Sequence, residues 1–493
     1  MYLGIDCGTQ GTKALLVDGQ GNPLGRGYAR HALIERSTGA REQEPQWWVD
    51  ALRIAVKEAL ASAVGNAVKA LGVSGQQHGL VILDKNLEVI RPAKLWNDTE
   101  TSEQNAELVN QFGGPAEWLR RFGIVPLTGY TLSKLLWLKQ NEPQNFARIR
   151  HILLPHNYLN FWLTGRLCAE AGDASGTAFF DIRTRAWQKQ VLDAIDGGSG
   201  HLFAALPELI GPEDIVGTLR PEVAAELGLP ETCIVSSGGG DNMMAAIGTG
   251  NVREGIVTLS LGTSSTVYSF SKQPVQDDTG SVAPFCSSSG GWLPLICTMN
   301  ATNVVTDTVK LLGKSVAEID DALNSTEPGA DGLTFLPFLN GERTPDLPRA
   351  RASLVGISAT NFRANQLIRA AVEGVSFGIL NGLDLILRGR KADVVQVTGG
   401  GARSAAWRQL LADASGVEIH VPAEEEAGCL GAAIQAMVAL SHADGAPETF
   451  ADVVARCTRI DASATARPRT ELRESYNQAR ATYNERLRAL YGV

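Results

Sequence analysis

The chain has 493 residues, of which 44% are hydrophobic and 20% charged, and its formal net charge is −9. This length exceeds what one hydrophobic core serves and predicts roughly two to four domains of a soluble protein. The negative charge argues against nonspecific nucleic-acid binding and against anionic membrane surfaces. The sequence shows no run of about 18 apolar residues and no basic-then-apolar amino terminus, which predicts a cytoplasmic protein.

The seven cysteines are odd in number, lie scattered along the chain and include no Cys-x-x-Cys pair. Neither a disulfide framework nor a structural zinc site is indicated. We expect most of these thiols to be buried as small hydrophobic groups. Cys7 stands beside a glycine turn, but a reactive thiol needs a lowered pKa, which the sequence does not indicate.

The first half of the chain begins with closely spaced strands and then alternates helix with strand. An apolar segment at 2–5 leads into a glycine turn, and a second apolar segment follows at 14–17. Residues 47–63 repeat apolar side chains at helical spacing and predict an amphipathic helix. The remaining elements predicted before a boundary near 245–253 are the strands 68–74, 81–84, 93–96 and 232–237, the helical stretch 99–162 and the loop 197–212.

The second half repeats this plan. Strands at 256–261 and 267–270 lie on either side of another glycine turn. Strand and helix in alternation predict the α/β class, with sheets covered by helices. The later elements are predicted as a long helix at 365–387, strands at 394–398 and 418–421, helices at 405–415 and 430–440, and a polar, helix-prone segment at 471–490.

The two glycine turns resemble each other in sequence: DCGTQGT at 6–12 and SLGTSST at 260–266. Each is typical of a strand, a tight turn and a second strand, and backbone N–H groups at a glycine turn form an anion-binding concavity. We therefore predict a duplicated domain with a phosphate held between the copies. The predicted domains are 1–247 and 248–493. Asp6 is matched by Ser260, so only the first copy offers a carboxylate for a metal.

The residue types around the first turn suit phosphate chemistry. Asp6 at a strand end, beside glycines and hydroxyls, can hold a hydrated Mg²⁺ against ATP phosphates, and Lys13 can supply positive charge to the transferring group. A plain hairpin with a solvated Asp6 is the alternative, which the second copy disfavours. The predicted phosphate contacts are Gly8, Thr9, Gln10, Gly11, Thr12 and Lys13 in the first turn and Gly262, Thr263 and Ser264 in the second.

A third glycine loop, at 397–404, follows a predicted strand and opens a predicted helix. Glycines there let a ligand approach the backbone, and the helix N-terminus favours a phosphate or a nearby polar ring. The loop lacks the spacing of a dinucleotide fingerprint, and a tight turn is the alternative. The candidate nucleotide contacts are Gly400, Gly401, Ala402 and Ser404.

Polar side chains also follow successive predicted strands. Gln77 and His78 come after one strand, and Trp96 and Asn97 come after the next; such side chains suit hydrogen bonding to a polyol or sugar. Asp241, presented by three glycines and followed by Asn242, is well placed to accept a proton from a substrate hydroxyl. If each residue is considered alone, a structural role for His78 and a helix-capping role for Asp241 are more common than a role in substrate binding or catalysis.

These elements together resemble the FGGY carbohydrate kinase family from Met1 to about Leu440. The match includes the opening hairpin at 2–9, GYTLSKLLWL at 129–138 as the first family signature, and the second signature from ASLVGI at 352–357 to AAVE at 370–373. Within the family, GDN at 240–242, LWND at 95–98 and GERTP at 341–345 are more similar to xylulokinases than to glycerol kinases. Xylulokinases usually have methionine where Gln77 stands.

The resemblance implies the actin-like ATPase architecture, with two ribonuclease-H-like domains and the active site in the cleft between them. It implies phosphorylation of D-xylulose to D-xylulose 5-phosphate with ATP and Mg²⁺. Asp241 would accept the proton, and Asp6 would lie near Mg²⁺ and the γ-phosphate, which makes both carboxylates candidate metal ligands. The sugar contacts implied are Gln77, His78, Trp96, Asn97, Asp241 and Asn242.

Several alternatives remain open at this stage. The polar Gln77 allows another ketose or polyol as substrate, such as D-ribulose, a pentitol, gluconate or glycerol. An actin-like ATPase without a sugar substrate is the rival from a different class. The expected partners are a small-molecule sugar and ATP, without nucleic acid or membrane, and the resemblance allows a homodimer.

Overall fold

The computed structural model describes residues 1–61 and 67–493, so the end of the helix predicted at 47–63 lies outside the described residues. The chain forms two compact units. Unit 1 comprises Met1–Val252, Ser271–Leu293 and Glu426–Thr458, and unit 2 comprises Arg253–Phe270, Pro294–Glu425 and Arg459–Val493. Each unit is therefore discontinuous in sequence, and the single boundary between 247 and 248 stays a prediction.

The strands in chain order are β1 Tyr2–Cys7, β2 Gly11–Val17, β3 Pro23–Arg30, β4 Ile34–Glu35, β5 Arg41–Gln43, β6 Ala70–Gly75, β7 Val81–Leu83, β8 Ala93–Lys94, β9 His151–Leu153, β10 Cys168–Glu170, β11 Phe180–Asp181, β12 Ala186–Trp187, β13 Glu208–Ile210, β14 Ile215–Thr218, β15 Ile234–Ser236, β16 Gly239–Gly240, β17 Ile256–Leu261, β18 Ser265–Ser269, β19 Ala283–Cys286, β20 Trp292–Thr298, β21 Thr334–Leu336, β22 Ser353–Val355, β23 Val394–Thr398 and β24 Glu418–His420.

The α-helices in chain order are α1 Pro45–Ala59, α2 Ser102–Gln111, α3 Pro115–Phe122, α4 Thr131–Asn141, α5 Pro143–Arg148, α6 Pro155–Thr164, α7 Ala171–Ala174, α8 Lys189–Asp196, α9 His201–Ala204, α10 Pro221–Leu227, α11 Asp241–Gly248, α12 Thr302–Leu311, α13 Ile319–Asn324, α14 Ala364–Leu387, α15 Ala405–Ser415, α16 Ala427–Ala443, α17 Phe450–Cys457 and α18 Arg473–Tyr491.

Both units are built on the same five-stranded pattern. In unit 1 the order is β3-β2-β1-β6-β15, with antiparallel pairs among the first three strands and parallel pairs from β1 to β6 and β6 to β15. In unit 2 the order is β20-β18-β17-β23-β24, with the same sequence of antiparallel and parallel pairs. The predicted α/β duplication is therefore confirmed at the level of strand order.

The sheet of unit 1 is covered on both faces. Helix α1 packs on β2 and β3, and helix α16 packs on β1 and β6. The approach of α16 depends on glycine: a Cβ at Gly4 would lie 1.7 Å from the carbonyl oxygen of Cys429. Side chains of the sheet and α1 form one buried core that includes Leu3, Trp48 and Val73. This packing fixes the carboxyl ends of β1 and β6.

Some predicted elements differ from the structure because tertiary contacts override local composition. The stretch 99–162 contains five helices, α2 to α6, interrupted by β9. The loop predicted at 197–212 contains α9 and β13, and β13 forms because it pairs with β10. Helix α14 is long and apolar enough to cross a membrane by length and composition, yet 72% of its apolar window is buried. That burial is typical of a core helix in a soluble protein.

Candidate active site

Three parallel strands of unit 1 end side by side, and the predicted catalytic residues lie at these ends. Asp6 on β1 is in register with Ser74 on β6, and Ser74 is in register with Gly239 on β16. Gln77 follows β6 by two residues, and Asp241 follows β16 directly. Ligands of open α/β sheets bind outside the carboxyl ends of the strands. The structure therefore gathers Asp6, Gln77 and Asp241 where such a ligand would bind.

Asp6 is held from two sides. The hydroxyl of Ser74 donates to its carboxylate at 2.6 Å. A Cβ at Gly428, in the first turn of α16, would lie 3.0 Å from the Asp6 carboxyl carbon. Burial raises the pKa of Asp6, and the hydrogen bond from Ser74 and the charge of Lys13 oppose this rise. The start of a helix also favours a negative charge.

Lys13 forms an ion pair at this edge of the sheet. Its Nζ lies 2.6 Å from a carboxylate oxygen of Glu426, and the Lys13 side chain is 43% exposed. Burial alone would lower the pKa of Lys13, but the hydrogen bond and charge of Glu426 raise it. Lys13 is therefore a cation beside Asp6, available to an approaching phosphate if it leaves Glu426.

Asp241 begins helix α11, and Asn242 bonds to it twice. The backbone N–H of Asn242 donates to Asp241 Oδ1 at 2.8 Å, and Asn242 Nδ2 donates to the same oxygen at 3.1 Å. Burial, followed by the charge of Asp6, raises the pKa of Asp241 to about 7. A carboxylate with a pKa near the working pH is suited to accept a proton in the transition state and release it afterwards.

The two side chains predicted to contact the sugar lie next to Asp241. Gln77 is buried, and its Oε1 accepts from Asn242 Nδ2 at 2.9 Å. His78 has a left-handed backbone with φ 65°, which is uncommon outside glycine and concentrates at functional sites. The His78 ring stacks on Tyr130 with centroids 4.5 Å apart. Stacking leaves the ring edge to make polar contacts.

The next polar cluster connects to the first glycine turn. Trp96 is 39% exposed, and its Nε1 donates to Thr9 Oγ1 at 2.9 Å. The Thr9 hydroxyl in turn donates to Gln76 Oε1 at 3.1 Å. Asn97 is half-buried, and within 1–61 and 67–493 its Oδ1 has no hydrogen-bond partner. The predicted sugar contacts therefore adjoin the predicted phosphate turn.

One predicted phosphate contact of this turn is turned inward. The Thr12 side chain is fully buried, and its Oγ1 lies 2.9 Å from His31 Nε2. Gln10 at the tip of the turn is exposed, and the Gly8 N–H donates to the Gly11 carbonyl at 3.1 Å. Cys7 is buried as well, and burial raises the pKa of its thiol to about 12. A reactive Cys7 thiolate is thus disfavoured.

A group of three acidic side chains, Glu42, Asp98 and Glu100, is close enough to hold a metal ion. Its centre is already filled by the ammonium of Lys94, which is 3.2 Å from Glu42, 3.1 Å from Asp98 and in contact with Glu100. The same ammonium lies 4.0 Å from the ring centroid of Trp137. This cluster is an ion-pair network under the 95–98 loop.

Lys134, in the first signature, was not singled out by reasoning from residue patterns. It is fully buried, and its Nζ donates to the carbonyls of His78 at 2.6 Å and Gly129 at 2.8 Å. Thr131 Oγ1 donates to the same His78 carbonyl at 3.1 Å. Burial lowers the pKa of Lys134 to about 7. A lysine inside the apolar run LSKLLWL was the available signal for a buried side chain that positions its neighbours.

Unit 2 presents the second glycine turn and the third glycine loop. Thr263 and Ser264 are exposed at the tip of the turn, and Gly262 N–H donates to the Ser264 carbonyl at 3.1 Å. The hydroxyl of Thr302 donates to the Gly262 carbonyl at 2.8 Å. A Cβ at Gly401 would lie 2.5 Å from the side chain of Leu261. The glycine loop therefore packs against the strand that leads into the turn.

A cavity of about 420 Å³ opens beside this loop and is lined by Gly400, Gly401 and Ser404, among others. Ser404 caps helix α15 by accepting from the Trp407 N–H at 3.0 Å, and its hydroxyl contacts Asp320. Such a volume lies within the range of small-molecule and cofactor sites. Three of the four predicted nucleotide contacts of the loop thus line one cavity.

Comparison with known proteins identifies the family. Residues 1–248 match the N-terminal domain of the FGGY family of carbohydrate kinases, and residues 257–440 match its C-terminal domain. The chain belongs to the FGGY family of carbohydrate kinases. This kinase is 45% identical to a xylulose kinase of Haemophilus influenzae over 499 residues, which covers 100% of both chains.

Two solved structures are similar to this FGGY kinase over nearly its whole length. A xylulose kinase from Brucella ovis matches with a TM-score of 0.91 and 32% identity, covering 100% of this chain and 99% of that one. A xylulose kinase from Bifidobacterium adolescentis matches with a TM-score of 0.84 and 32% identity, covering 97% and 99%. The expected two-domain, actin-like kinase fold is confirmed, and membership of the family implies ATP and a sugar as substrates.

Proposed function

We propose that this kinase transfers the γ-phosphoryl group of ATP to D-xylulose and forms D-xylulose 5-phosphate. Full-length identity of 45% to a xylulose kinase supports this substrate. The observation that carries the chemistry is Asp241, a carboxyl whose pKa is raised to about 7 at the shared end of β6 and β16. The same region contains Gln77, His78 and Asn97, whose polar groups suit a polyhydroxylated substrate.

Asp241 acts as the general base in this proposal. It accepts the proton of the terminal hydroxyl of the sugar while that oxygen attacks the γ-phosphorus, and the bond from phosphorus to the ADP oxygen breaks. Positioning accounts for most of the acceleration, because the protein makes no covalent intermediate. The two Asn242 hydrogen bonds hold Asp241 Oδ1 and leave Oδ2 for the proton.

The nucleotide contacts remain those expected from the glycine turns. Thr9, Gln10 and Gly11 would offer backbone N–H groups to phosphates, as would Thr263 and Ser264. The N–H groups of Gly8 and Gly262 donate to carbonyls inside their own turns, so these two glycines would contact a phosphate only through close approach of the chain. The cavity beside Gly400 and Ser404 would take the adenosine. Lys13, released from Glu426, would neutralise charge on the transferring phosphoryl group. Thr12 remains a proposed contact through its backbone, since its side chain is buried.

The donor set at Asp6 fits Mg²⁺. Two carboxylates, Asp6 and Asp241, are close enough that the charge of one raises the pKa of the other, and carboxylate oxygens are the protein ligands that Mg²⁺ prefers. Asp6 would hold the ion, with Asp241 as the second carboxylate. When bound, Mg²⁺ neutralises charge on the β- and γ-phosphates. The Ser74 hydroxyl donates to Asp6 Oδ1 and would hold this carboxylate in place for the ion.

The test is ADP release coupled to a spectroscopic readout, with Mg-ATP and D-xylulose, D-ribulose, L-xylulose, xylitol, gluconate or glycerol. We expect the highest kcat/KM with D-xylulose. A preference for another sugar would reject the proposed substrate and keep the kinase. Equal ADP release with and without every sugar would instead favour an actin-like ATPase.

Two further expectations accompany the proposed activity. Consumption of ATP favours a cytoplasmic location, which fractionation of the native cells would test. A homodimer remains a prediction, and sedimentation velocity of the purified chain would measure the oligomeric state directly.

A further inference from the structure

Gln77 carries an unused hydrogen-bond donor. The side chain is 4% exposed, and its Oε1 accepts from Asn242 Nδ2 at 2.9 Å. Within the part of the chain that the structure describes, Gln77 Nε2 is buried without a hydrogen-bond partner. Buried polar groups in native proteins are nearly always bonded, because leaving a donor unmet is costly. A buried donor without a protein partner, beside a candidate base, indicates a ligand partner.

The direction of this amide is set by Asp241. Asn242 Nδ2 donates to Asp241 Oδ1, which accepts and cannot donate when the base is ionised. The same Nδ2 faces Gln77, so Gln77 must present its oxygen to Asn242 and its nitrogen to the other side. A chain of hydrogen bonds from Asp241 through Asn242 therefore orients the free donor of Gln77.

The donor lies beside the other proposed sugar contact. A Cβ built at Gly176 would lie 3.6 Å from Gln77 Nε2 and 2.4 Å from His78 Cε1. A Cβ built at Gly240 would lie 2.7 Å from Gln77 Cγ. The amide is thus confined between glycine backbones, next to the His78 ring, and has little freedom to seek another protein partner. Methionine, usual in xylulokinases at this place, has no donor to offer.

We propose that Gln77 Nε2 donates a hydrogen bond to one oxygen of the bound sugar, and that this donor makes Gln77 a specificity-determining residue. This inference rests on the proposed sugar kinase activity. A site built to bond a substrate oxygen rejects an analogue that lacks it, because the protein donor is then left unpaired. The ligand that this donor favours is a neutral polyhydroxylated ketose with an acceptor oxygen near His78.

The experiment compares the wild-type enzyme with Gln77→Glu and Gln77→Met. The glutamate keeps the acceptor oxygen for Asn242 and removes the donor, whereas methionine removes both. Each enzyme is assayed with D-xylulose and with its monodeoxy analogues, each lacking one oxygen. For D-xylulose we expect kcat/KM to fall roughly 10- to 100-fold in both variants, mainly through KM, with the KM for ATP unchanged.

The decisive readout is the analogue that lacks the oxygen bonded by Gln77. For that analogue alone, wild type and Gln77→Glu should have equal kcat/KM. Recording kcat/KM against pH separates this effect from any influence of the new carboxylate on the pKa of Asp241.

Gln76→Met is the matched control. Gln76 is also buried, but both ends of its amide are bonded, since Oε1 accepts from Thr9 and Nε2 donates to Gln43 Oε1 at 2.9 Å. Gln76→Met removes hydrogen bonds between protein groups only, so it should reduce kcat/KM by the same factor for D-xylulose and for every deoxy analogue. Thermal unfolding of each variant checks that it is folded.

Two results would overturn the inference: a loss in Gln77→Glu that is the same for every analogue, or no loss with D-xylulose. If wild type prefers a different sugar, the proposed substrate fails, and the deoxy series of the preferred sugar tests Gln77 in the same way. If no sugar stimulates ADP release, the proposed function and this inference both fail.

Discussion

Replacing Asp241 by asparagine should nearly abolish phosphoryl transfer and at the same time stabilise the protein at alkaline pH. The pKa of this carboxyl rises from its ordinary 3.8 to about 7, because burial and the charge of Asp6 disfavour the ionised form. The folded protein therefore retains a proton on Asp241 that the unfolded chain releases above pH 3.8. Stability contributed by the neutral carboxyl is lost as pH rises from about 4 to about 7.

The size of the effect follows from this pKa. Each pH unit between the folded and unfolded pKa is worth about 1.36 kcal/mol, which gives an upper bound of ~4 kcal/mol at pH 8. Asp241 is only half-buried, and solvent screening reduces this to ~1–3 kcal/mol. Asparagine keeps an Oδ1 that accepts both Asn242 bonds and carries no charge to be buried.

The assay is thermal unfolding of wild type and Asp241→Asn from pH 4.5 to pH 8.5, in EDTA and without ATP. We expect the smallest Tm difference at pH 4.5 and an asparagine variant that is more stable by several degrees at pH 8.5. The kcat of the variant should fall by a factor of ~10²–10⁴, the usual contribution of a general base. ATP binding, measured by calorimetry, should persist. A Tm difference independent of pH would refute the argument.

Two further substitutions test the supports of the site, and a third tests a buried ion pair of helix α14 in unit 2. Gly428→Ala should lower kcat roughly tenfold with little change in Tm, because its Cβ would lie 3.0 Å from the Asp6 carboxyl carbon; Gly378→Ala, a helical position with space for a methyl group, is the control. Lys134→Met should raise the KM for sugar about tenfold and leave the KM for ATP unchanged, because it frees the His78 carbonyl. Arg369→Met should destabilise the protein by ~3–5 kcal/mol, because it leaves the buried Glu373 carboxylate without the guanidinium 2.9 Å away.

Each of these three predictions has an outcome that would contradict it. Equal kcat values for the alanine variants at 428 and 378 would show that Asp6 tolerates the added methyl group. A rise in the KM for ATP as large as that for sugar would show that Lys134 supports more than the His78 turn. If Arg369→Met combined with Glu373→Gln is no more stable than Arg369→Met alone, the unpaired carboxylate is not the cause of the loss.

The sequence predicted the repeated hairpins well because their signals are local. Apolar segments on either side of a glycine turn predict strand, turn and strand at 2–17 and 256–270 without help from distant residues. The structure has β1 at Tyr2–Cys7 and β17 at Ile256–Leu261, close to those bounds. Long helices were equally visible, since α14 and α15 carry continuous periodic patterns. The strand β13 was missed because its pairing with the distant β10, and not its composition, stabilises it. Helix α9 was missed because its four residues are too few to show a helical period.

The chain itself determined the α/β class, the duplication and the residue types available for phosphoryl transfer. Folding decided which of these residues meet: α16, far along the sequence, returns to unit 1 and places Gly428 against Asp6. Folding also buries the Thr12 side chain against His31 and pairs the Asp98 carboxylate with the Lys94 ammonium. These outcomes depend on long-range packing and on the loss of solvent around charges, which shift pKa values and fix hydrogen-bond partners only once the sheet and its helices have assembled.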